Sequence, residues 1–544
     1  MEAIGFKNFR KFADFPTMDL APITILVGAN NAGKSTVVKG ILALSDFLNN
    51  RSLYSVGRSQ MVNDVDEDQE DSDENRDEAK RQYKNVKFFF NSSYLAHIGT
   101  FKRALCYLSD EEKIVFIVKK EETTVKIGVE GNRKDEESVS GNVSTIELHN
   151  EKNQIDVTFD LAENMISLSF HPCPDYQPDD HKKPSRRYMQ LGLFGNDMAR
   201  ENDEVDPLVK YFRSFNKTYT LTLPIWYAWR GFGLYDIISS LVTSLERNLK
   251  EKLEKASIIA EKSTDVEVKP NEDVHVCSIN QMDDEMVRFL KENVTCLMPP
   301  TNRFCLPILY RSPLMDVEYI YAHAVTQSAL YSAKDTNDYM SNTIHEFVTL
   351  AHNSKPKRDF VKKWMKEFGI GKDYTIRSVG GEAHLVYVTN NDGEKVPLAD
   401  KGMGSIQLMV LLFRLATIMP EMDQWLSNRR MSIKTIIIEE PEQNLHPMLQ
   451  SKLADMFYEI HRAYGFRFIV ETHSEYLIRK TQVIVRDFHN HYHTLEGNPF
   501  KIYYFNSEND QPYYEIEYQK DGCFANDFGK GFFDEASSLA LEIL

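Results

Sequence analysis

The hydrophobic pattern near the start of the chain sets out a strand, a loop and a helix in that order. After an apolar-rich stretch over residues 4–12, the β-branched run Ile23-Thr-Ile-Leu-Val27 stops abruptly at glycine and asparagine, which predicts a buried strand feeding a loop. Val37, Val38, Ile41, Leu42, Leu44 and Leu48 then recur at helical spacing, so residues 35–48 are predicted to be helical. Further on, short β-type runs at residues 113–118, 124–129, 144–148, 155–159 and 166–170 alternate with charged or Gly/Asn turns and predict an antiparallel sheet. The pattern changes from residue 171. A Pro-rich basic stretch leads into aromatic segments and then a helical repeat of Leu241, Leu245, Leu249 and Leu253. A helix over 359–368 and strands at 383–389 and 396–398 around an Asn-Asp-Gly turn follow. Buried-strand runs come next at 435–438 and 466–470, then aromatic strands at 501–505 and 513–518, and a short helix from Asp534. No internal repeat is visible. The layout is therefore residues 1–170 with the antiparallel sheet, a mostly helical insertion at 171–310, and a second lobe at 311–544.

Composition narrows the class of protein. With 544 residues, 42% hydrophobic and 27% charged, the chain is long enough for about three or four folding units and has ordinary globular proportions. No run of about 18 uncharged apolar residues occurs, and the first residues already carry Glu2, Lys7, Arg10 and Lys11, so neither a signal peptide nor a membrane span is expected. The six cysteines are scattered without ligand spacing, which fits a reducing cytoplasm. A net charge of −17 repels a phosphate backbone over most of the surface. Part of that charge is the run at 64–78, expected to be a solvated acidic loop. Basic clusters at Lys182, Lys183, Arg186 and Arg187, and from Lys355 to Lys366, are better read as solvated faces than as nucleic-acid contacts. Trp226, Tyr227 and Trp229 lack the basic alternation of a base-stacking platform.

The strand–loop–helix is filled by Gly28-Ala-Asn-Asn-Ala-Gly-Lys-Ser35, an unbroken G-x-x-x-x-G-K-S. In such a loop Gly28 and Gly33 let backbone N–H groups face phosphates, Lys34 reaches the β/γ oxygens and Ser35 ligates Mg²⁺. Asn30, Asn31 and Thr36 complete the nucleotide-binding segment. The run Thr435-Ile-Ile-Ile438 ends in Glu439 and Glu440, the place where ATP hydrolysis needs one acid by the metal and another by the attacking water. Glu439 is assigned to the metal and Glu440 to the water. A further strand ends in Glu471-Thr-His-Ser474, where His473 can reach a γ-phosphate or its water. Gly402 and Gly404 precede a helix expected near Ser405, and would offer N–H donors to an anion; an ordinary helix entry has the same pattern.

Together these segments resemble the SMC/RecF/OLD group of ABC-type ATPases. The opening GFKNFRKF and the P-loop match the group's first lobe. LADKGMGSIQ over 398–407 is similar to its signature, EEPEQNLHP over 439–447 to its Walker B and D-loop, and Thr472-His-Ser474 to its switch histidine. The resemblance implies an α/β, ABC/SMC-type P-loop ATPase head split into two lobes, with an antiparallel β subdomain and a helical insertion. It implies ATP and Mg²⁺ as cofactors, and a homodimer or higher oligomer in which Gly402, Gly404 and Ser405 of one copy cover the γ-phosphate held by the other. The group's Q-loop glutamine has no clear match; His97 stands in the corresponding region. The insertion is too short for long coiled-coil arms.

Within the group, GFFD at 531–534 and YIYAHAVTQSALYSAKDTNDY at 319–339 look similar to PtuA-type ATPases of Septu and retron anti-phage systems. That resemblance implies an HNH nuclease partner of the PtuB type, and in retrons a reverse transcriptase with its msDNA. No nuclease motif is read in this chain, and Asp521, Asp527 and Asp534 read as turn and cap residues. The expected function is an ATP-hydrolysing, dimerising regulator of a nuclease. Two alternatives stand beside it: an ATP-gated inhibitory scaffold with little turnover, and a RecF-like DNA-repair ATPase.

Overall fold

Apolar runs that lack alternation are the ones buried on both faces, and they fold as the parallel sheet that carries the chemistry. In the computed structural model, residues 2–49, 86–91, 96, 98–120, 123–151, 155–163, 165–170, 219–224, 316–321, 328, 330–333, 338–420, 434–506, 511–530 and 532–542 are described. The chain runs through β1 (Ala3–Phe9), β2 (Phe12–Asp19), β3 (Ile23–Gly28), α1 (Lys34–Asn49), β4 (Lys87–Phe89) and the single turn α2 (Phe101–Ala104). It continues through β5 (Lys113–Lys120), β6 (Thr123–Glu130), β7 (Ser140–Asn150), β8 (Ile155–Asp160), β9 (Met165–Phe170) and β10 (Tyr219–Pro224). After β11 (Asp316–Tyr321) and β12 (Tyr331–Ser332) come α3 (Tyr339–Glu346), a π-helical turn (Phe347–Ala351), α4 (Lys355–Glu367), β13 (Asp373–Val379), β14 (Ala383–Thr389) and β15 (Lys395–Pro397). The last part holds α5 (Met403–Ile418), β16 (Lys434–Glu439), α6 (Pro447–Tyr464), β17 (Arg467–Glu471), α7 (Glu475–Tyr492), β18 (Phe500–Phe505), β19 (Tyr513–Ile516) and α8 (Glu535–Glu542).

Packing divides the chain into two compact units: Met1–Met18 with Asp46–Leu314, and Asp19–Ser45 with Met315–Leu544. The P-loop segment thus packs with the second half of the sequence. The first unit is built on an antiparallel sheet in the order β10-β9-β8-β7-β6-β5-β1-β2, with β4 beside β7. Its core is aromatic: Phe116 stacks on Phe88 at 4.9 Å and meets Phe9 at 5.3 Å and Phe6 edge-on at 6.0 Å. The expected antiparallel runs all appear here. The described stretch of the expected helical insertion, β10, is a strand that pairs with β9; its sequence Tyr-Thr-Leu-Thr-Leu-Pro alternates with period two. The acidic run at 64–78, His97, the leucine repeat at 241–253, the 182–187 basic cluster and Trp226–Trp229 lie outside the described residues.

In the second unit a mixed sheet runs β11-β16-β17-β3-β18-β19, parallel except for the edge pair β18–β19. Helix α6 joins β16 to β17 and α7 joins β17 to β18, the crossover arrangement that parallel strands require. Helix α5 is buried from Ile406 through Phe413 and at Leu415 and Ala416. A helix apolar all round needs cover on every side, and a second small sheet, β12-β14-β13 with β15, belongs to the same unit's core. The one charged residue in that buried stretch, Arg414, is matched by Glu318 of β11 and Glu346 of α3. No described helix is long and apolar enough to cross a membrane.

Candidate functional site

Parallel strands put their carboxyl ends on one rim, and here register decides which side chains meet there. Glu439 of β16 lies opposite Glu471 of β17, and Glu471 lies opposite Leu26 of β3. The P-loop leaves the same rim at Gly28, whose neighbour in register on β18 is Phe505. Gly28 has φ +133°, and a Cβ on it would sit 2.2 Å from the Phe505 carbonyl oxygen, so the close approach of β18 as well as the turn demands glycine. Gly33 at φ +114° and Asn31 at φ +60° bend the loop back into α1. Asn30 and Asn31 are exposed; Lys34 and Thr36 are buried, and the Thr36 and Val37 N–H groups bond to the Gly33 carbonyl.

Lys34 is 3% exposed and its Nζ donates to the Gly28 and Ala29 carbonyls, both at 3.0 Å. The Glu471 carboxylate stands 3.9 Å from it. Ser35 Oγ lies 3.2 and 3.1 Å from the two oxygens of the same carboxylate. Burial pushes the Glu471 carboxyl up to about 7, with Glu439 adding to the rise and Lys34 and Ser35 opposing it. Burial also lowers the Lys34 ammonium, against the pull of Glu471 and Glu440. Glu471 is a site residue that sequence reasoning assigned no role; its signal was a carboxylate ending an otherwise apolar strand.

Glu440 follows β16 directly with φ +45°, an unusual backbone conformation for a side chain of this size. Its N–H donates to the Glu471 carbonyl at 2.7 Å, Gln443 Nε2 donates to its Oε2, and its Oε1 stands 3.8 Å from His473 Nε2. His473 is depressed below the usual imidazole range by burial and by Lys34, with Glu440 acting the other way. Its backbone N–H donates to Glu442 Oε1 at 2.7 Å, and Ser474 caps α7 by accepting from the Leu477 N–H at 3.1 Å. Glu442 was also passed over by the sequence reading.

The signature segment starts its helix two residues ahead of expectation: α5 begins at Met403 with Gly402 as its N-cap. Ser405 therefore lies inside the first turn, its N–H bonded to the Gly402 carbonyl at 2.9 Å. A Cβ on Gly404 would fall 2.4 Å from the Asn444 carbonyl oxygen, whereas one on Gly402 would meet nothing within 4 Å. Gln407 Nε2 donates to the Pro441 carbonyl at 3.3 Å, and Asn444 donates to Gln407 Oε1 at 3.3 Å. The structure thus ties the signature helix to the turn after Glu440. It brings Lys34, Ser35, Glu439, Glu440, Glu471 and His473 together at the rim.

A chain with this rim belongs to the AAA ATPase domain family, which matches residues 1–478. It is an ATPase-domain protein. Among solved structures the chain matches SMC head domains at low identity. The Smc head bound to the C-winged helix domain of ScpA shares 8% identity over 95% of this chain and 98% of that one, with a TM-score of 0.34. The Smc head with an extended coiled coil bound to the C-terminal domain of ScpA, from Pyrococcus furiosus, shares 11% over 100% and 98%, TM-score 0.28. The SMC head from Thermotoga maritima shares 7% over 95% and 98%, TM-score 0.30. No curated protein matches the chain in sequence.

Proposed function

We propose that this chain is an SMC/ABC-like ATPase that closes on a second copy around ATP and, through that closure, regulates an associated HNH nuclease in anti-phage defence. The observation that carries the nucleotide part is the convergence on one rim of Lys34 and Ser35 with Glu439, Glu440 and His473. The donor set fits Mg²⁺, a hard cation that prefers oxygen: Ser35 and Glu439 would hold it, and when bound it neutralises charge on the β- and γ-phosphates. Lys34 would bind the same phosphate oxygens. Glu440 would orient the attacking water and accept its proton, and His473, 3.8 Å away, would hold the γ-phosphate end in place.

Dimer closure is supported by the exposed start of α5, where Gly402 has free space and the N–H groups of Met403 and Gly404 precede the first intrahelical bond, which the Ser405 N–H makes. An anion presented by another copy would meet those donors. The defence role rests on the PtuA-type segments at 319–339 and 531–534, and names as partners a PtuB-type nuclease and, in a retron, reverse transcriptase with msDNA. In this reading residues 171–310 carry the signal to the partner.

The decisive measurement is nucleotide titration of Lys34→Ala against wild type, with sizing of both in ATP and Mg²⁺. Loss of binding and of ATP-dependent dimer formation is expected. Unchanged nucleotide affinity in the variant would remove the site assignment.

A further inference from the structure

Glu471 meets both P-loop side chains of the nucleotide-site reading: Ser35 donates to it, and Lys34, whose hydrogen bonds go to the Gly28 and Ala29 carbonyls, stands beside it. Its two carboxylate oxygens lie 3.1 and 3.2 Å from Ser35 Oγ and its Oε1 lies 3.9 Å from Lys34 Nζ. Its other facing carboxylates are Glu439, opposite in register on β16, and Glu440, whose N–H bonds to the Glu471 carbonyl. Burying a carboxyl among carboxyls is costly unless a cation or a proton offsets it, and the cation within reach here is the P-loop lysine at 3.9 Å.

We infer that Glu471 is a positioning residue that makes nucleotide binding depend on the metal: it engages Ser35 and stands beside Lys34 until Mg²⁺ and ATP arrive together. This rests on the nucleotide-site reading above. The argument is electrostatic. Metal-free ATP brings four negative charges toward a rim that already carries Glu439, Glu440 and Glu471, and it must draw Lys34 off the Gly28 and Ala29 carbonyls and away from Glu471 without compensation. Bound with Mg²⁺, the nucleotide would arrive partly neutralised, and a cation held by Ser35 would leave the Glu471 carboxylate beside a positive charge when Lys34 turns to the phosphates. Glu471 therefore weakens metal-free ATP selectively, and metal and nucleotide are coupled through it.

The test is equilibrium binding of a fluorescent ATP analogue to the full chain, once in excess EDTA and once in Mg²⁺, for wild type, Glu471→Gln and Glu471→Asp. In wild type the Mg²⁺ condition should bind much more tightly. In Glu471→Gln the EDTA affinity should rise while the Mg²⁺ affinity holds or falls, so that the ratio between the two conditions shrinks by about 5- to 150-fold. Glu471→Asp keeps the charge and should retain most of the wild-type ratio. A residue that merely supports the strand would change both affinities together and leave the ratio alone, and that outcome overturns the inference. Wild type that binds nucleotide in neither condition would instead overturn the site itself.

Discussion

In the antiparallel sheet of the first unit, charges stand in pairs at the surface: Lys113–Glu130 at 3.1 Å, Lys119–Glu151 at 2.8 Å and Lys126–Glu147 at 3.9 Å, each partner about a third to a half exposed. At the rim of the parallel sheet, Lys34 and Glu471 are 3% and 5% exposed. Solvated pairs cost little to form and contribute little, whereas a buried pair is stabilising only against the alternative of one charge left alone. The comparison teaches where to look for function. In the first unit the buried core is aromatic and the charge pairs are solvated, so little stability is expected from them; at the rim, charge is buried at a cost, which is what the proposed binding of a charged nucleotide would call for.

Three substitutions sharpen or break that contrast. The largest effect is expected for Glu440→Gln. The isosteric amide removes the proton acceptor but still fills the space beside Gln443 and His473, so ATP turnover should fall by about 10²- to 10⁴-fold with little change in thermal midpoint. Steady-state phosphate release and a melting curve decide it. Absent turnover in wild type as well, with nucleotide binding intact, would favour the ATP-gated scaffold. Next in size is Phe116→Ala in the first unit. Deleting a fully buried ring packed on Phe6, Phe9 and Phe88 should cost about 3–5 kcal/mol in chemical denaturation. Smallest is Lys126→Ala. Its pair with Glu147 is nearly half exposed, so denaturation should report less than about 1 kcal/mol. A larger loss would mean that the surface charges of this sheet do more than the contrast allows.

Much of the site was legible because its parts are local. A strand, a glycine-bearing loop and a helix are contiguous, so Lys34 and Ser35 follow from spacing alone. The two acids after Ile438 and the histidine after Val470 follow likewise from apolar runs that end in polar residues. The antiparallel strands from β5 to β9 were readable from their alternation and turns. Glu471 was not readable. In sequence it is one more carboxylate at a strand end, and its meaning arises only when β17 pairs with β3 and sets it beside Ser35 and Lys34. Gln407 and Glu442 were hidden for the same reason: their partners, Pro441 and Asn444 for the one and the His473 N–H for the other, belong to other loops.

By itself, then, the sequence determined the elements and their local chemistry: a phosphate loop on a buried strand, acids at a second strand's end, a histidine at a third. Those depend on periodicity, glycine conformational freedom and the identity of adjacent residues, all of which are local. Only the tertiary structure decided that Asp19–Ser45 packs with Met315–Leu544, in what order the strands lie, and hence which carboxylate faces the P-loop lysine. Strand order and register are set by burial of both faces of the sheet at once, a condition on the whole core that no single segment expresses.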